Sequence, residues 1–361
     1  MEPLPHDLHR PPIHPATAEV VELTPETPFA HAFRQLSQGA ALCLTGSYGS
    51  AMAFYSWMKK RIGARHPIHD YASSRRHRDA WYACSARALI RISHHEPTLA
   101  KAPRNPWLRA FFPDLPEFFI SFADFLGLNG AWQWYRKGVR YPVLPHPIHP
   151  FYGTYFPTRH DHLLLFDRWL EDTGTGHHER AMDMGTGSGV LAFIMHARGV
   201  PHIHATDINP NAIYSVRQDL KRLGSKAEEG IIPEEGDLLG GFQPGPRDLV
   251  VFNPPWIPGE PEKPMDEACY YRPGFFEVFF RRMARQCPSG TTLALLFSDF
   301  AVAAGLLEEH PVLDALESQG AAFTLTDHLR EPVRQAPARV NAWLSEVRRR
   351  EQVELLVLHR I

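Results

Sequence analysis

The sequence is poor in cysteine, in long apolar runs and in net charge, and each scarcity excludes a class of protein. Only four cysteines occur in 361 residues, and no two of them form a C-x-x-C pair. Their wide spacing argues against a zinc knuckle and against a disulfide-stapled secreted domain. No apolar run approaches the roughly 18 residues that a membrane span needs. The first residues, rich in proline and histidine, lack the order of a signal peptide. We therefore predict a cytoplasmic protein without a membrane segment.

The net charge of −2 conceals an uneven distribution along the chain. Residues 1–150 carry 17 Lys and Arg against 11 Asp and Glu, whereas residues 151–361 carry 21 against 29. A basic half can meet RNA, DNA or another acidic surface, although a solvated basic face is the commoner origin of such a bias. Nucleic acid therefore stays open as a partner of the front half.

The 21 histidines include short clusters that invite a metal hypothesis. Their spacings are irregular and no cysteine accompanies them, unlike the ligand patterns of structural zinc sites. We predict no metal site.

Proline content and the spacing of apolar residues along the chain predict three segments. Residues 1–28 contain many prolines and few periodic apolar positions, which indicates a loosely ordered arm. Residues 29–150 have mainly helical spacing, and prolines after Trp132 suggest short strands and a linker before a boundary near 150. From residue 151 to 361, short apolar runs alternate with helical stretches, the signature of an α/β domain with a parallel sheet. The front helical domain is expected to recognise the substrate.

The strongest local signal is an apolar strand at Ala181 that ends in Asp183, followed by Gly185, Gly187 and Gly189 and then by a helix. Positions without side chains let the backbone approach a ligand, and the N-terminus of a helix offers free N–H groups. The pattern predicts a nucleotide-like cofactor. A dinucleotide site would need G-x-G-x-x-G, and here the third glycine comes one residue early, which disfavours NAD.

The next predicted strand ends in Asp207, 18 residues beyond Gly189. A carboxylate at the C-terminal end of such a strand can accept both hydroxyls of a ribose. A plain helix N-cap would explain the same residue. We predict that Asp207 binds the cofactor's ribose.

A fourth strand runs into Asn253-Pro254-Pro255-Trp256. Two consecutive prolines stiffen the turn and hold Asn253 and Trp256 just past the strand end. The same four residues could also form an ordinary tight turn without a functional role. The order of the strands and their acidic ends favours a functional site.

Together these motifs resemble those of class I S-adenosylmethionine-dependent methyltransferases with an N-P-P-[YFW] tetrad, which act on nitrogens of planar groups. The release factor glutamine methyltransferases are the most similar. The resemblance covers about residues 151–361 and implies a Rossmann-like domain, with a mostly parallel seven-stranded sheet whose last strand is antiparallel. It implies S-adenosylmethionine as the cofactor and an N-methyltransferase as the activity.

The resemblance also assigns roles to single residues. Asp183 would lie near the methionine amino group of the cofactor, and a weaker third motif would bring Asp237 to the adenine and Leu238 backbone beside it. Arg159, in a Pro-Thr-Arg turn that departs from the family's Pro-Arg-Pro, would lie over the cofactor. The cofactor-binding set is completed by Thr186, Ile208 and Asn253. Asn253 and the Pro254 carbonyl would accept the acceptor's N–H groups, while Trp256 would stack on its flat face.

Three interpretations remain open. The first is methylation of a protein glutamine or of an amino group in a small molecule. The second is a nucleic-acid N-methyltransferase that grips phosphates through basic runs such as Lys59-Lys60-Arg61. The third is a non-catalytic module that keeps the fold, although no motif residue is missing.

Overall fold

The computed structural model describes residues 4–174, 178–261, 264–318, 322–334 and 341–361. The chain divides into two compact units, Met1–Gln133 and Trp134–Ile361. This boundary precedes the predicted one near 150. The reason lies in the segment after it, because Tyr141, Leu144 and Ile148 are buried in the core of the second unit.

The first unit contains helices and a mixed sheet of short strands. Its elements are β1 Ile13–Pro15, β2 Val21–Leu23, α1 Phe29–Ser37, β3 Leu42–Leu44, α2 Tyr48–Arg65, α3 Tyr71–Ser85, β4 Ala88–Ser93, β5 Glu96–Pro97, α4 Trp107–Phe111, β6 Phe118–Ser121 and α5 Phe122–Lys137, which continues across the boundary.

The sheet of the first unit has the order β1-β6-β4-β3-β2, with β5 paired to β4. The helices that the sequence predicts are present, but the sheet was not predicted. The expected loose arm supplies two of its strands, since Ile13–Pro15 pairs with β6 and Val21–Leu23 with β3. Prolines are compatible with this role because an edge strand can leave a position without a donor.

The second unit alternates strands and helices. Its elements are α6 Asp161–Thr173, β7 Arg180–Met184, α7 Val190–Ala197, β8 His202–Asp207, α8 Pro210–Leu223, α9 Ser225–Gly230, β9 Ile231–Glu235, β10 Leu249–Phe252, β11 Ile257–Pro258, a 3₁₀ turn Pro264–Ala268, β12 Tyr270–Tyr271, α10 Phe275–Gln286, β13 Thr292–Ser298, α11 Phe300–Ala303, α12 Pro311–Ser318, β14 Phe323–Pro332, α13 Ala342–Arg350 and β15 Gln352–Arg360.

Seven of these strands form one sheet in the order β14-β15-β13-β10-β7-β8-β9. The neighbours from β13 to β9 run parallel, and β15 is antiparallel to both β13 and β14. The order reverses beside β7, the first strand, which is the switch point where doubly wound sheets bind ligands. The predicted seven-stranded sheet with an antiparallel last strand is confirmed.

One prediction at the start of this unit was wrong. The alternating aromatic and polar residues after Trp132 were read as short strands, yet α5 continues to Lys137, and the segment beyond contributes a single bridge between Val139 and Ile148. The helix persists because no proline interrupts it before Pro142. Among the described residues, no helix has the length and apolar character that a bilayer span requires.

Candidate active site

The turn after β7 is built from glycines in the left-handed region. Gly185, Gly187 and Gly189 have φ values of 63°, 53° and 83°. At Gly187 the need is also steric, because a Cβ would lie 2.8 Å from the carbonyl oxygen of Tyr155. The chain therefore closes tightly on this turn from residues that precede α6. Tyr155 had no role in the sequence analysis, yet this contact brings it to the site.

Asp183 lies at the carboxyl edge of β7 and is fully buried. Its Oδ2 accepts a hydrogen bond from the Thr186 hydroxyl at 2.6 Å and from the Ala192 backbone N–H at 2.9 Å. Its Oδ1 accepts none from any described residue. Burial raises the pKa of Asp183 to about 7, although both hydrogen bonds oppose the rise. The resemblance assigns Thr186 to the cofactor, whereas its hydroxyl here binds Asp183. The buried Oδ1 of Asp183 remains available to accept a hydrogen bond from a ligand.

Asp207 is the last residue of β8, and its carboxylate accepts hydrogen bonds from two backbone N–H groups. Gly187 N–H donates to Oδ2 and Asn209 N–H donates to Oδ1, each at 2.8 Å. Burial raises the pKa of Asp207, against both of these bonds. Each oxygen keeps a second lone pair. Ile208 beside it is 56% exposed, an apolar side chain on a polar edge.

The third motif, Asp237 and Leu238, has an aspartate that is more exposed than the two at the ends of β7 and β8. The Asp237 side chain is 63% exposed and forms an ion pair with Arg282 at 2.6 Å. Leu238 has a φ of 53°, and its carbonyl accepts from the Thr206 hydroxyl. The backbone at Leu238 is therefore tied to β8, while the carboxylate of Asp237 faces a surface arginine. Its predicted contact with adenine stays a prediction.

Asn253 and Trp256 are joined by a hydrogen bond that the sequence did not predict. The indole Nε1–H donates to Asn253 Oδ1 at 3.1 Å and more weakly to the Leu296 carbonyl at 3.4 Å. Because indole is only a donor, the bond fixes which end of the Asn253 amide faces it. His162 packs edge-on against the Trp256 ring at 5.2 Å between centroids. Burial lowers the pKa of His162 to about 3, so the imidazole beside the tryptophan is neutral.

A pocket with about 410 Å³ of empty space, open to solvent, lies beside this tetrad. Its walls are mainly apolar and aromatic. The lining residues are Tyr155, Asn253, Pro254, Trp256, Ile257, Ala268, Cys269, Phe300 and Arg348. The loop from Ile257 to Gly274 thus contributes three of them, and residues 262 and 263 lie outside the described part. Burial raises the pKa of Cys269, which keeps its thiol protonated.

Arg159, which we predicted to lie over the cofactor, forms an ion pair with Glu351. Its Nη1 donates to both oxygens of Glu351, at 3.4 and 3.3 Å. Glu351 is fully buried and also accepts from the Ser298 hydroxyl at 2.7 Å and from Arg348. Sequence reasoning missed this cluster because its members are up to 192 residues apart. The arginine-rich end of α13 gave no signal beyond a solvated helix.

Comparison with known proteins finds a methyltransferase resemblance in the part of the chain that carries this site. Residues 164–265, within the second unit, match the model of the methyltransferase small domain. We call the second unit the methyltransferase domain from here on. The predicted resemblance to class I methyltransferases is confirmed for this segment, and S-adenosylmethionine is the cofactor that it implies.

Two curated relatives are similar to part of the chain. A ribosomal protein L11 methyltransferase of Exiguobacterium is 31% identical over 140 residues, which is 34% of this chain and 43% of the relative. A release factor glutamine methyltransferase of Deinococcus radiodurans is 35% identical over 91 residues, or 25% and 31%. The chain thus spans less than half the length of these relatives. A solved L11 methylase of Lactobacillus delbrueckii is 15% identical, with a TM-score of 0.38, and covers 59% of this chain and 84% of its own.

The residues at the switch point fit this cofactor. The unpartnered Oδ1 of Asp183 suits an ammonium group, and the free lone pairs of Asp207 suit two hydroxyls. Ile208 offers an apolar surface for a planar base. Within the described ranges, no three His, Cys, Asp or Glu side chains converge to hold a metal ion.

Proposed function

We propose that the methyltransferase domain transfers a methyl group to an amide or amino nitrogen of a planar acceptor. The hydrogen bond from Trp256 to Asn253 carries this proposal, because it orients a carbonyl oxygen beside the pocket. The bound S-adenosylmethionine would supply an electrophilic methyl group on a sulfonium sulfur. A carbon–nitrogen bond forms, the carbon–sulfur bond breaks with its electrons staying on sulfur, and the nitrogen loses a proton to solvent.

Asn253 acts here as a positioning acceptor. Its Oδ1 has two lone pairs, of which the Trp256 N–H uses one, so the other can receive an N–H of the acceptor. An amide or aryl amine is a poor nucleophile, since its lone pair is delocalised. Holding its nitrogen in line with the methyl group therefore supplies much of the rate. The Pro254 carbonyl is proposed to accept the second N–H.

Trp256 has two tasks in this proposal. Its indole face supplies a flat apolar surface in the pocket, and its N–H prevents the Asn253 amide from rotating. The neutral His162 supports the ring from its edge. The tryptophan thus replaces the usual tyrosine of the tetrad and adds a donor that is directed at Asn253.

The cofactor roles of Asp183, Gly185, Gly187, Gly189, Asp207 and Ile208 are part of the same proposal. The L11 and release factor relatives carry names of protein substrates, which favours a protein acceptor. A cytoplasmic location stays a prediction.

Asn253→Ala tests the proposal. We expect methyl transfer to fall about 100-fold, the loss typical of removing one oriented polar group from a reaction centre. The assay follows methyl incorporation from S-adenosylmethionine into a glutamine peptide, anthranilate and an adenosine-containing RNA. Asn253→Asp is the matched control, because it keeps an oxygen for the Trp256 N–H and should retain more activity. Transfer to oxygen or sulfur, or full activity in Asn253→Ala, would contradict the proposal.

A nucleic-acid acceptor is the second candidate, and one feature of the first unit favours it. The segment 48–85, which forms α2 and α3, carries seven Lys and Arg against two Asp and Glu. Lys59, Lys60 and Arg61 at its centre are exposed. Binding to RNA that weakens steeply with salt, and that fails when these three residues become glutamate, would support this candidate.

A further inference from the structure

Among the described residues that line the acceptor pocket, Arg348 is the one with a charged side chain. Its side chain is 24% exposed, and its guanidinium lies 4.9 Å from the centre of the Phe300 ring, another part of the wall. The remaining walls are apolar, aromatic or neutral. An arginine in such surroundings is costly unless it has a use or a full set of partners.

The partners of Arg348 do not balance its charge. One carboxylate, Glu351, is shared by Arg348 and Arg159, so two guanidiniums meet a single negative charge. The third partner of Glu351 is the neutral hydroxyl of Ser298. The cluster therefore keeps one formal positive charge.

The nearby acids form their ion pairs with other groups. Asp299 pairs with Arg330, and Glu354 pairs with Arg330, His310 and His328. Among the described residues, neither carboxylate forms an ion pair with Arg159 or Arg348. In addition, Arg159 has a buried Nη2 for which the described residues offer no acceptor. Burial lowers the pKa of Arg348, against the pull of Glu351, so desolvation outweighs the compensation that it receives.

We propose that the acceptor carries a carboxylate, and that Arg348 binds it at the wall of the pocket. This inference rests on the proposed function, since it concerns the acceptor of the same methyl transfer. A guanidinium offers five N–H donors in a plane, and Arg348 uses only Nη1 toward Glu351 among the recorded bonds. The acceptor class is thus a planar amine or amide that bears a carboxylate.

A monoanion fits the charge better than a phosphate ester. One negative charge neutralises the cluster of Arg159, Arg348 and Glu351, whereas a dianion would leave a net negative charge among apolar walls. A carboxylate also matches the planar fork of arginine in a bidentate pair. The flat ring of such an acceptor would lie against Trp256.

The test compares two probes of nearly equal shape, benzoate and benzamide. Each is titrated calorimetrically into the full chain saturated with S-adenosylhomocysteine. We expect benzoate to bind about tenfold tighter than benzamide, because charge-assisted hydrogen bonds are stronger than neutral ones. In Arg348→Gln this preference should vanish. Equal affinities in wild type, no benzoate binding, or a preference that survives in Arg348→Gln would each overturn the proposal.

Arg349→Gln is the matched control. Arg349 is the next residue of α13, is 58% exposed and pairs with Glu346 rather than with the pocket cluster. Its replacement should leave the benzoate preference unchanged. Arg348→Lys keeps the charge and should keep part of the preference, so the proposal stays testable where the glutamine variant fails to fold. Loss of the preference in Arg349→Gln would overturn the assignment to Arg348.

Two further titrations distinguish the carboxylate proposal from other roles of Arg348. Arg348→Gln should bind S-adenosylhomocysteine as wild type does; a large loss would assign Arg348 to the cofactor and overturn the proposal. Phenyl phosphate should bind more weakly than benzoate, and tighter binding would reject the carboxylate. Failure of the proposed function would appear elsewhere, as full transfer activity in Asn253→Ala.

Discussion

The carboxyl edge of the methyltransferase sheet has two halves that hold their polar side chains by different means. In the proposed cofactor half, at β7 and β8, Asp183 and Asp207 together accept three hydrogen bonds from backbone N–H groups and one from a side chain, the Thr186 hydroxyl. In the acceptor half, at β10 and β13, side chains hold side chains: Trp256 orients Asn253, and two arginines share Glu351. The first half depends on the path of the chain, and the second depends on which residues occupy it.

Because of this difference, cofactor binding and acceptor choice should respond separately to substitution. A backbone N–H remains under every substitution except proline, so we expect the cofactor half to tolerate change around its carboxylates as long as the turn keeps its shape. Side-chain partners can be changed one by one. We therefore expect acceptor choice to be altered without loss of cofactor binding, whereas changes to Asp183 or Asp207 should affect cofactor binding first.

The pH dependence of cofactor binding should show the largest effect. In the free protein Asp183 has a pKa of about 7, raised by burial, so it holds a proton below that pH. The proposed contact with the cofactor's amino group requires the carboxylate, and binding must release the proton. Affinity should thus be highest above pH 7 and fall about tenfold for each pH unit below it, toward a loss of about 100-fold at pH 5.

Calorimetry in buffers of different ionisation enthalpy measures both the affinity and the released proton. Asp183→Asn should bind weakly at every pH and lose this dependence, because the amide does not titrate. A wild-type affinity that does not change with pH would show that the Asp183 carboxylate does not bind the amino group of the cofactor. The acceptor half would be unaffected by this result.

Trp256→Phe should have a smaller effect, confined to the acceptor half. The phenyl ring keeps an aromatic face but loses the N–H that orients Asn253. A neutral hydrogen bond contributes about 1 kcal/mol, so methyl transfer should fall about fivefold while the dissociation constant of S-adenosylmethionine stays the same. Steady-state kinetics with a responsive acceptor measures the loss. Unchanged turnover in Trp256→Phe would remove the positioning role of the indole.

The two halves also differ in how far the sequence predicts them. The positions of Asp183, the glycine turn and Asp207 were predictable because each lies at the end of a strand, where local pattern and the geometry of parallel sheets determine its place. The positions of Asn253 and Trp256 follow from the same rule, and the roles of all these residues stay predictions. The hydrogen bond between Asn253 and Trp256 was not predicted, because a bond between side chains depends on rotamers that no periodicity encodes.

Long-range contacts account for most of what was missed. Arg159 was singled out, but its partner Glu351 is 192 residues away, in a segment to which the sequence analysis assigned no role. The sheet of the first unit was also missed, since its strands are only two to six residues long and helices separate them. Short strands between helices give too little alternation to recognise.

The most direct test of the account is a calorimetric titration of S-adenosylmethionine and of NAD into the wild-type chain and into Asp207→Ala. The account predicts that the wild type binds S-adenosylmethionine and not NAD, and that Asp207→Ala binds it about 100-fold more weakly, because two charge-assisted hydrogen bonds are lost. Asp207→Asn, which keeps an acceptor for a backbone N–H, controls for the shape of the turn. Binding of NAD, or S-adenosylmethionine affinity that is equal in wild type and Asp207→Ala, would contradict the account.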